Sequence, residues 1–159
     1  MENCDLNEFL SVDTIDISGR RFNDKNDLFA FMTEILFHAN CINDRQAFMD
    51  ALYEREKTGS TYMGNGLAVP HGKSISVLRP SIAFCRCSPF KYDKDEDDET
   101  TQIVLMLAIP ESTEQSEYIN LLAQVSMLFV DEEFLEIVNT EQDKRIILDE
   151  FYNRLLKVK

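Results

Sequence analysis

The stretch TQIVLMLAIP, residues 101–110, begins with a polar pair, continues as an unbroken apolar run and ends at a proline. A run of this kind is typical of a strand that is covered on both faces, rather than of one with a solvent face. Such a strand needs a packing layer on each side. The stretch therefore predicts the centre of a sheet that lies between two layers of helices.

The segments on either side of this run have the patterns of further strands and helices. Predicted strands cover 11–18, 67–69 and 80–87, and predicted helices cover 24–41, 43–59, 113–130, 132–139 and 141–156. Asp24 or Asn26 is the predicted cap of the first helix, and Asn43 is that of the second. This order of elements predicts an α/β fold: a single domain over 1–159, with a central mixed β-sheet flanked by helices on both sides.

The length and charge of the chain argue against several classes of protein. With 159 residues, of which 44% are hydrophobic, the chain can bury one core, and no apolar run approaches the ~20 residues of a membrane span. Its formal charge of −13, from 29 acids and 16 bases, argues against nucleic acid as the main partner and against anionic membrane surfaces. The missing apolar run argues against direct membrane insertion. The N-terminal stretch lacks the pattern of a secretion signal, so a cytoplasmic location is expected.

The four cysteines, Cys4, Cys41, Cys85 and Cys87, are expected to be free thiols in a reducing compartment. Cys85 and Cys87 are two apart in a predicted strand, so they share one face. Core packing is favoured over a metal site, because no second ligand pair accompanies them. The acidic stretch 91–100 is interpreted as a solvated turn; the alternative, a cation site, lacks the ligand spacing of a calcium loop.

The segment TYMGNGLAVPHGK, residues 61–73, places His71 between a proline and a glycine. A neutral imidazole is a good nucleophile near physiological pH and can form covalent intermediates. Gly64 and Gly66 permit unusual dihedral angles near the site, and the guanidinium of Arg55, at the end of the preceding helix, can clamp phosphate oxygens. The alternative is that His71 is an ordinary turn residue without a chemical role.

The longer segment YEREKTGSTYMGNGLAVPHGK, residues 53–73, resembles the signature of the fructose/mannitol-type enzyme IIA domains of the bacterial phosphoenolpyruvate-dependent sugar phosphotransferase system. The matching elements are Arg55-Glu56, Ser60-Thr61, Gly64-Asn65-Gly66, Leu67-Ala68-Val69 and Pro70-His71-Gly72. A looser similarity covers nearly the whole chain. Residues 104–111 resemble the central strand of the family, and residues 118–138 resemble its following helices.

The resemblance implies a phosphocarrier with a phosphohistidine intermediate. His71 would accept a phosphoryl group from the carrier protein HPr and pass it to a cysteine of a sugar-specific IIB domain. Arg55 would stabilise the transferring group, whereas Thr61 and the turn Gly64, Asn65 and Gly66 would shape the pocket. The resemblance implies neither a cofactor nor a metal ion, since the chemistry is mostly positioning and electrostatic stabilisation.

One position departs from the family pattern. Many members carry a second histidine in a Glu-His-Leu-x-Leu-Leu segment, where this chain has Glu117 followed by Tyr118. A tyrosine hydroxyl can orient a phosphate oxygen or a ring nitrogen, but it does not become a cation. Two alternatives therefore stay open: a regulatory module of the nitrogen type, whose phosphorylation state is the signal, and a non-catalytic binding domain.

The surroundings of His71 are expected to suit contact with large protein partners. The ring should lie at a sheet edge or at the rim of a shallow depression, with Tyr62, Met63 and Leu67 as candidates for an exposed apolar surface. The phosphoryl charge requires nearby cations. Arg55 and Lys73 are the nearest in sequence, and Arg79 and Arg86 are further candidates. The other histidine, His38, is interpreted as a helix C-terminal residue.

Overall fold

The computed structural model describes residues 10–94 and 99–158 of the chain. Cys4 and residues 95–98 of the predicted acidic turn lie outside the described residues. The described part contains a mixed sheet with helices on both of its faces, which confirms the predicted fold class.

The sheet has six strands among the described residues. They are β1 (Ile15–Asp16), β2 (Tyr62–Gly64), β3 (Leu67–Ala68), β4 (His71–Ser74), β5 (Ser81–Phe90) and β6 (Thr101–Pro110). Their order is β1-β5-β6-β3-β2, and β4 also pairs with β6, beyond the end of β3. The central pair, β5 and β6, is antiparallel, whereas β1 runs parallel to β5, and both β3 and β4 run parallel to β6.

Five helices cover the two faces of the sheet in the described residues. They are α1 (Lys25–His38), α2 (Arg45–Glu56), α3 (Gln115–Leu128), α4 (Glu132–Thr140) and α5 (Lys144–Val158). Helices α1 and α2 pack on one face, here called the α2 face, and the three C-terminal helices pack on the other, here called the α3 face. Within the described ranges, no helix has both the length and the apolar character needed to cross a bilayer.

Strand β6 is buried on both faces, as the apolar run predicts. Its residues Ile103, Leu105, Leu107 and Ile109 pack into the cluster of the α3 face, and Val104, Met106 and Ala108 pack into that of the α2 face. The strand is thus the centre of two hydrophobic cores rather than the wall of one. Cys85 and Cys87 are buried in the core of the α2 face together with Cys41, so the prediction that they pack in the core is confirmed.

Local hydrogen bonds explain where the predicted boundaries differ from the observed ones. The cap of α1 is Asp24, as predicted, but that of α2 is Asp44, which accepts from the Ala47 amide at 3.0 Å. The prediction of Asn43 was wrong, because the Asp44 side chain makes the capping bond, while the Asn43 amide donates to the Ser76 carbonyl at 2.9 Å.

The predicted strand 11–18 is shorter than expected. Its first part is a 3-10 turn, Val12–Thr14, in which the Thr14 hydroxyl donates to the Ser11 carbonyl at 3.1 Å and accepts from the Ser11 amide at 3.3 Å. A threonine that bonds its own backbone in this way competes with strand pairing. Only Ile15–Asp16 remains to pair with β5.

A close contact holds the edge strand β4 against helix α2. Gly72 pairs with Ala108 and faces α2, where an added β-carbon would lie 3.2 Å from Ala51 Cβ, 3.2 Å from Phe48 Cε1 and 3.3 Å from the Leu52 amide nitrogen. The backbone nitrogen cannot move without shifting the helix. The absence of a side chain at residue 72 thus brings α2 close to the strand that begins with His71.

Substitution Gly72→Ala is expected to destabilise the protein by about 1–3 kcal/mol, because overpacking forces the helix away from the strand. Urea unfolding of the variant measures this loss. Substitution Ala51→Gly removes one of the obstructing atoms, so the loss in the double variant should be smaller than the sum of the two single losses. An unchanged unfolding midpoint in Gly72→Ala would contradict the close contact.

Candidate functional site

His71 is the first residue of β4, opposite Leu107 of β6, and its imidazole points toward the α3 face. Of the named strands, β4 pairs with β6 alone, so the histidine begins an edge strand, as predicted. The ring is deeper than the rim position expected from the sequence, since only 4% of the residue is exposed. Little of the ring is therefore open to a partner.

Two hydrogen bonds define the tautomer of His71. Its Nδ1 lies 3.0 Å from the Val69 carbonyl oxygen, which can only accept, so Nδ1 carries the proton. The Arg55 Nε donates to Nε2 at 3.1 Å, so Nε2 is unprotonated and accepts this bond with its lone pair. The two contacts fix the ring with its nucleophilic nitrogen facing a guanidinium.

The environment keeps the imidazole neutral. Burial lowers the pKa of His71 below its ordinary value; the hydrogen bond to Val69 opposes this shift, the charge of Arg55 adds to it, and the charge of Glu56 opposes it. Because the pKa is lowered, the ring keeps its lone pair at neutral pH. It loses that lone pair only when the pH falls through the lowered pKa.

Arg55 is held in place by the chain that follows it. It lies in the last turn of α2, and its Nη1 donates to the Thr58 hydroxyl at 2.9 Å and to the Gly59 carbonyl at 2.8 Å. These contacts leave Nε free to bond the histidine. Thr58 and Gly59 were not among the predicted site residues, although a cation that bonds the carbonyls just past a helix end is a recurrent pattern.

The Glu56 carboxylate fixes the loop that carries these anchors. It accepts from the Thr61 amide at 3.1 Å, from the Thr61 hydroxyl, and from the Tyr92 hydroxyl at 2.7 Å. Burial and the charge of Glu56 raise the pKa of Tyr92, which therefore remains a donor. Thr61 thus bonds Glu56 and Tyr92 rather than His71, and it fixes the loop instead of lining the histidine.

A second layer ties the same loop to the segment after β5. Lys25 Nζ lies 2.7 Å from the Asp93 carboxylate and 3.7 Å from that of Glu56, and the Ser60 hydroxyl also donates to Asp93. The residues of this layer come from three distant parts of the chain. No pattern in the sequence brings them together, which is why sequence reasoning missed them.

The turn Gly64, Asn65 and Gly66 does not line the histidine, contrary to the prediction that it shapes the pocket. All three residues have positive φ, at 89°, 55° and 81°, which favours the glycines found there. The following Leu67 pairs with Ile103, four residues before Leu107 on β6, or about 13 Å along the strand. The turn instead sets the hairpin that leads into β4.

The Gly66 amide of this turn is engaged by a side chain. It donates to the Tyr62 hydroxyl at 3.2 Å and so is not available to bind an anion.

Of the three residues expected to form an exposed apolar surface, Met63 is exposed and Tyr62 is half-buried. Leu67 is buried in the core of the α3 face, so its predicted exposure was wrong.

Tyr118, in the first turn of α3, closes the other side of the histidine. Its ring lies edge-on to the imidazole, with centroids 5.7 Å apart and planes inclined at 60°. Burial raises the pKa of Tyr118, although the charge and hydrogen bonding of Arg55 oppose that shift. The structure therefore brings together His71 of β4, Arg55 of α2 and Tyr118 of α3.

Comparison with known proteins assigns the chain to a family. Residues 8–154 match the family described as phosphoenolpyruvate-dependent sugar phosphotransferase system, EIIA 2. The chain belongs to this family. The match confirms the family resemblance found in the signature segment. The chain is therefore an enzyme IIA component of a phosphotransferase system.

The relatives of this enzyme IIA chain include larger proteins. It is 31% identical over 143 residues to the PTS system fructose-specific EIIABC component of Bacillus subtilis, covering 89% of the chain but 22% of that relative. Among solved structures, the nitrogen regulatory protein IIA-Ntr of Neisseria meningitidis has a TM-score of 0.79 at 23% identity, over 91% of this chain and 97% of that one.

A third match is a complex. Enzyme IIA mannitol bound to phosphorylated enzyme IIB mannitol, from Escherichia coli, has a TM-score of 0.72 at 23% identity, over 93% of this chain and 97% of that one. At these identities the two solved structures establish the fold. The chain is an open mixed sheet with the architecture of enzyme IIA structures.

Substitution Arg55→Met is expected to raise the pKa of His71 toward its ordinary value of about 6.5, because the guanidinium charge helps to depress it. Titration of the imidazole nitrogens by NMR measures the shift and reads the tautomer directly. Arg45→Met is the matched control, since Arg45 lies at the opposite end of α2 and pairs with Glu34. A lowered pKa in Arg55→Met would contradict the electrostatic account.

Proposed function

We propose that the chain is a phosphocarrier of the sugar phosphotransferase system, of the fructose/mannitol type. It accepts a phosphoryl group from phospho-HPr on His71 and passes it to a cysteine of a sugar-specific IIB component during sugar uptake. The proposal rests on one observation: a buried, neutral imidazole whose Nε2 lone pair faces the Arg55 guanidinium while its Nδ1 proton is held by Val69. Residues 1–159 act as one cytoplasmic phosphocarrier domain without a cofactor.

In the first transfer, the Nε2 lone pair of His71 attacks the phosphorus of the donor phosphohistidine. A new N–P bond forms at His71 as the donor N–P bond breaks, and the donor ring leaves with the bonding pair. The Nδ1 proton stays on His71, so the phosphorylated ring is a cation that donates to the Val69 carbonyl. In the second transfer, a cysteine thiolate attacks the same phosphorus, and the electron pair returns to Nε2.

Arg55 has two positions to serve in this cycle. In the resting state its Nε donates a hydrogen bond to the Nε2 lone pair. This hydrogen bond must break before the lone pair can attack. The displaced guanidinium stays beside the site, because Nη1 is anchored at Thr58 and Gly59. It then meets the equatorial phosphoryl oxygens, where a planar cation with several donors stabilises the developing charge.

The remaining predicted site residues act around this pair. Tyr118 orients the ring from the α3 face, Thr61 fixes the loop that anchors Arg55, and the turn Gly64, Asn65 and Gly66 sets the path into β4. The formal charge of −13 favours a donor protein with a basic surface.

The acceptor is inferred from the relatives. A fructose-specific EIIABC relative joins IIA, IIB and IIC components in one chain, and a structural neighbour is a complex of enzyme IIA with phosphorylated enzyme IIB. Both support a IIB domain as the next partner of this chain. The fructose-specific name of the relative supports a fructose-type system.

Incubation with phosphoenolpyruvate, enzyme I and HPr should add one acid-labile phosphoryl group to the chain, detected by intact mass at neutral pH. His71→Ala should add none, because it lacks the nucleophile. His38→Ala is the matched control and should be phosphorylated normally, since His38 ends α1 with a side chain that is 74% exposed beside Glu34. No mass gain in the folded wild type, with active upstream enzymes, would reject the proposal.

The phosphorylated chain should lose its phosphoryl group when it is mixed with a fructose-type IIB domain, which gains a phosphocysteine in the same step. A IIB variant with serine in place of the acceptor cysteine should leave the phosphohistidine intact. Mass spectrometry of both proteins follows the transfer. Phosphorylation by HPr without transfer to any IIB domain would favour the alternative, a regulatory module of the nitrogen type whose phosphorylation state is the signal.

A further inference from the structure

We propose that Lys73 is a second phosphoryl-binding cation of the site, held beside His71 by the ring of Tyr118. The inference rests on the proposed function and deepens it, since it names a second group that meets the phosphoryl oxygens together with Arg55. It follows from the register of β4, from the contacts of Tyr118 and from the other charged groups near the site.

The register of β4 places Lys73 on the same face as His71. Side chains two apart in a strand point the same way, and His71 and Lys73 pair with Leu107 and Ile109, both of which face the α3 core. The intervening Gly72 faces α2 instead. Lys73 therefore lies on the α3 face beside the imidazole, whereas Arg55 belongs to α2, which packs on the other face.

Tyr118 provides the contact that keeps Lys73 near the ring. The lysine Nζ lies 5.7 Å from the centroid of the tyrosine ring, and the same ring lies edge-on to the imidazole at 5.7 Å. An ammonium is attracted to the face of an aromatic ring at this distance. A protonated imidazole at residue 118 would repel it, so a neutral phenol suits a site in which the lysine carries the charge.

Lys73 is available for a new anion. No carboxylate of the residues that the structure describes forms an ion pair with it, whereas Lys25 is bonded to Glu56 and Asp93, and Lys57 to Glu54. Its half-buried side chain is a flexible stem with a compact charge, which can move a few ångströms to reach an oxygen.

The other two predicted cations are committed elsewhere. The Arg79 guanidinium donates to the Ala39 carbonyl at 3.1 Å, and that of Arg86 donates to the Val138 carbonyl at 2.9 Å. Arg86 also pairs with Ile103, about 13 Å along β6 from the residue opposite His71. Lys73 is thus the candidate that the structure places beside the ring.

A phosphoryl group on Nε2 would meet two cations, Arg55 from α2 and Lys73 from the α3 face of β4. Its oxygens carry a charge of about −1.5 to −2 near neutral pH, which exceeds the charge of one guanidinium. The imidazolium ring donates its N–H to the Val69 carbonyl and not to these oxygens. Arg55 reaches Nε2 around the sheet edge from α2, while Lys73 approaches from the α3 face. Three equatorial oxygens allow both cations to bond at once.

The test uses phosphoramidate as the phosphoryl donor, which is independent of HPr. Nε2 attacks its phosphorus, the N–P bond of phosphoramidate breaks, and ammonia leaves after taking a proton from water. The second pKa of the phosphoryl group on the full chain is then read by phosphorus NMR. Lys73→Gln should raise this pKa by about one unit, because a nearby positive charge favours the dianion.

Further variants separate a charge effect from a structural one. Lys73→Arg should keep the phosphoryl pKa near the wild-type value, and Lys57→Gln, which removes an exposed lysine close in sequence, should leave it unchanged. In a Tyr118→Leu background, which lacks the ring that holds the lysine, Lys73→Gln should cause a smaller rise. Phosphorylation by phosphoramidate should also be slower in Lys73→Gln, by about fivefold.

The outcomes distinguish this inference from the proposed function. A normal phosphoryl pKa in Lys73→Gln, with wild type phosphorylated by HPr, would overturn the role of Lys73 and leave the phosphocarrier standing. An equal rise in Lys73→Arg would also overturn it, since the charge would then be irrelevant. Failure of both donors to phosphorylate folded wild type would reject the two proposals together.

Discussion

The parallel pairing of β4 with β6 is the constraint on which the site depends. The Pro70 carbonyl accepts from the Leu107 amide at 3.0 Å, and this bond starts the pairing that places His71 opposite Leu107. Because side chains alternate along a strand, the histidine then faces the α3 core while Gly72 faces α2. A slip of one residue would bury the imidazole against α2 and direct it away from Tyr118.

Much of the fold could be predicted because strong local patterns agree with the tertiary structure. The apolar run of β6 required two layers, and the helical periodicity before and after it supplied them. The failures occurred where a single hydrogen bond decides a boundary. Asn43 is as good a cap as Asp44 in isolation, and the bond from the Ala47 amide to the Asp44 side chain decides between them.

The candidate site could be predicted only in its local part. His71 and Arg55 lie within one continuous signature, so the sequence alone could pair them. The partners of Glu56, which fixes the following loop, could not be found in this way, because Tyr92 and Lys25 reach it from outside the signature. The turn Gly64 to Gly66 was predicted to lie at the histidine, but it lies further along the sheet. Residues close in sequence are separated in space when the chain between them is extended.

The anchoring of Arg55 bears on how firmly a phosphoryl group would be kept. Part of the guanidinium is engaged by the Thr58 hydroxyl and the Gly59 carbonyl, at the carbonyl end of α2. A helix C-terminus carries partial negative charge, so the cation is shared between the helix and the bound anion. A carrier must release what it accepts. In the proposed carrier, an arginine that divides its charge in this way would hold the phosphoryl group less firmly and so keep it at a high transfer potential.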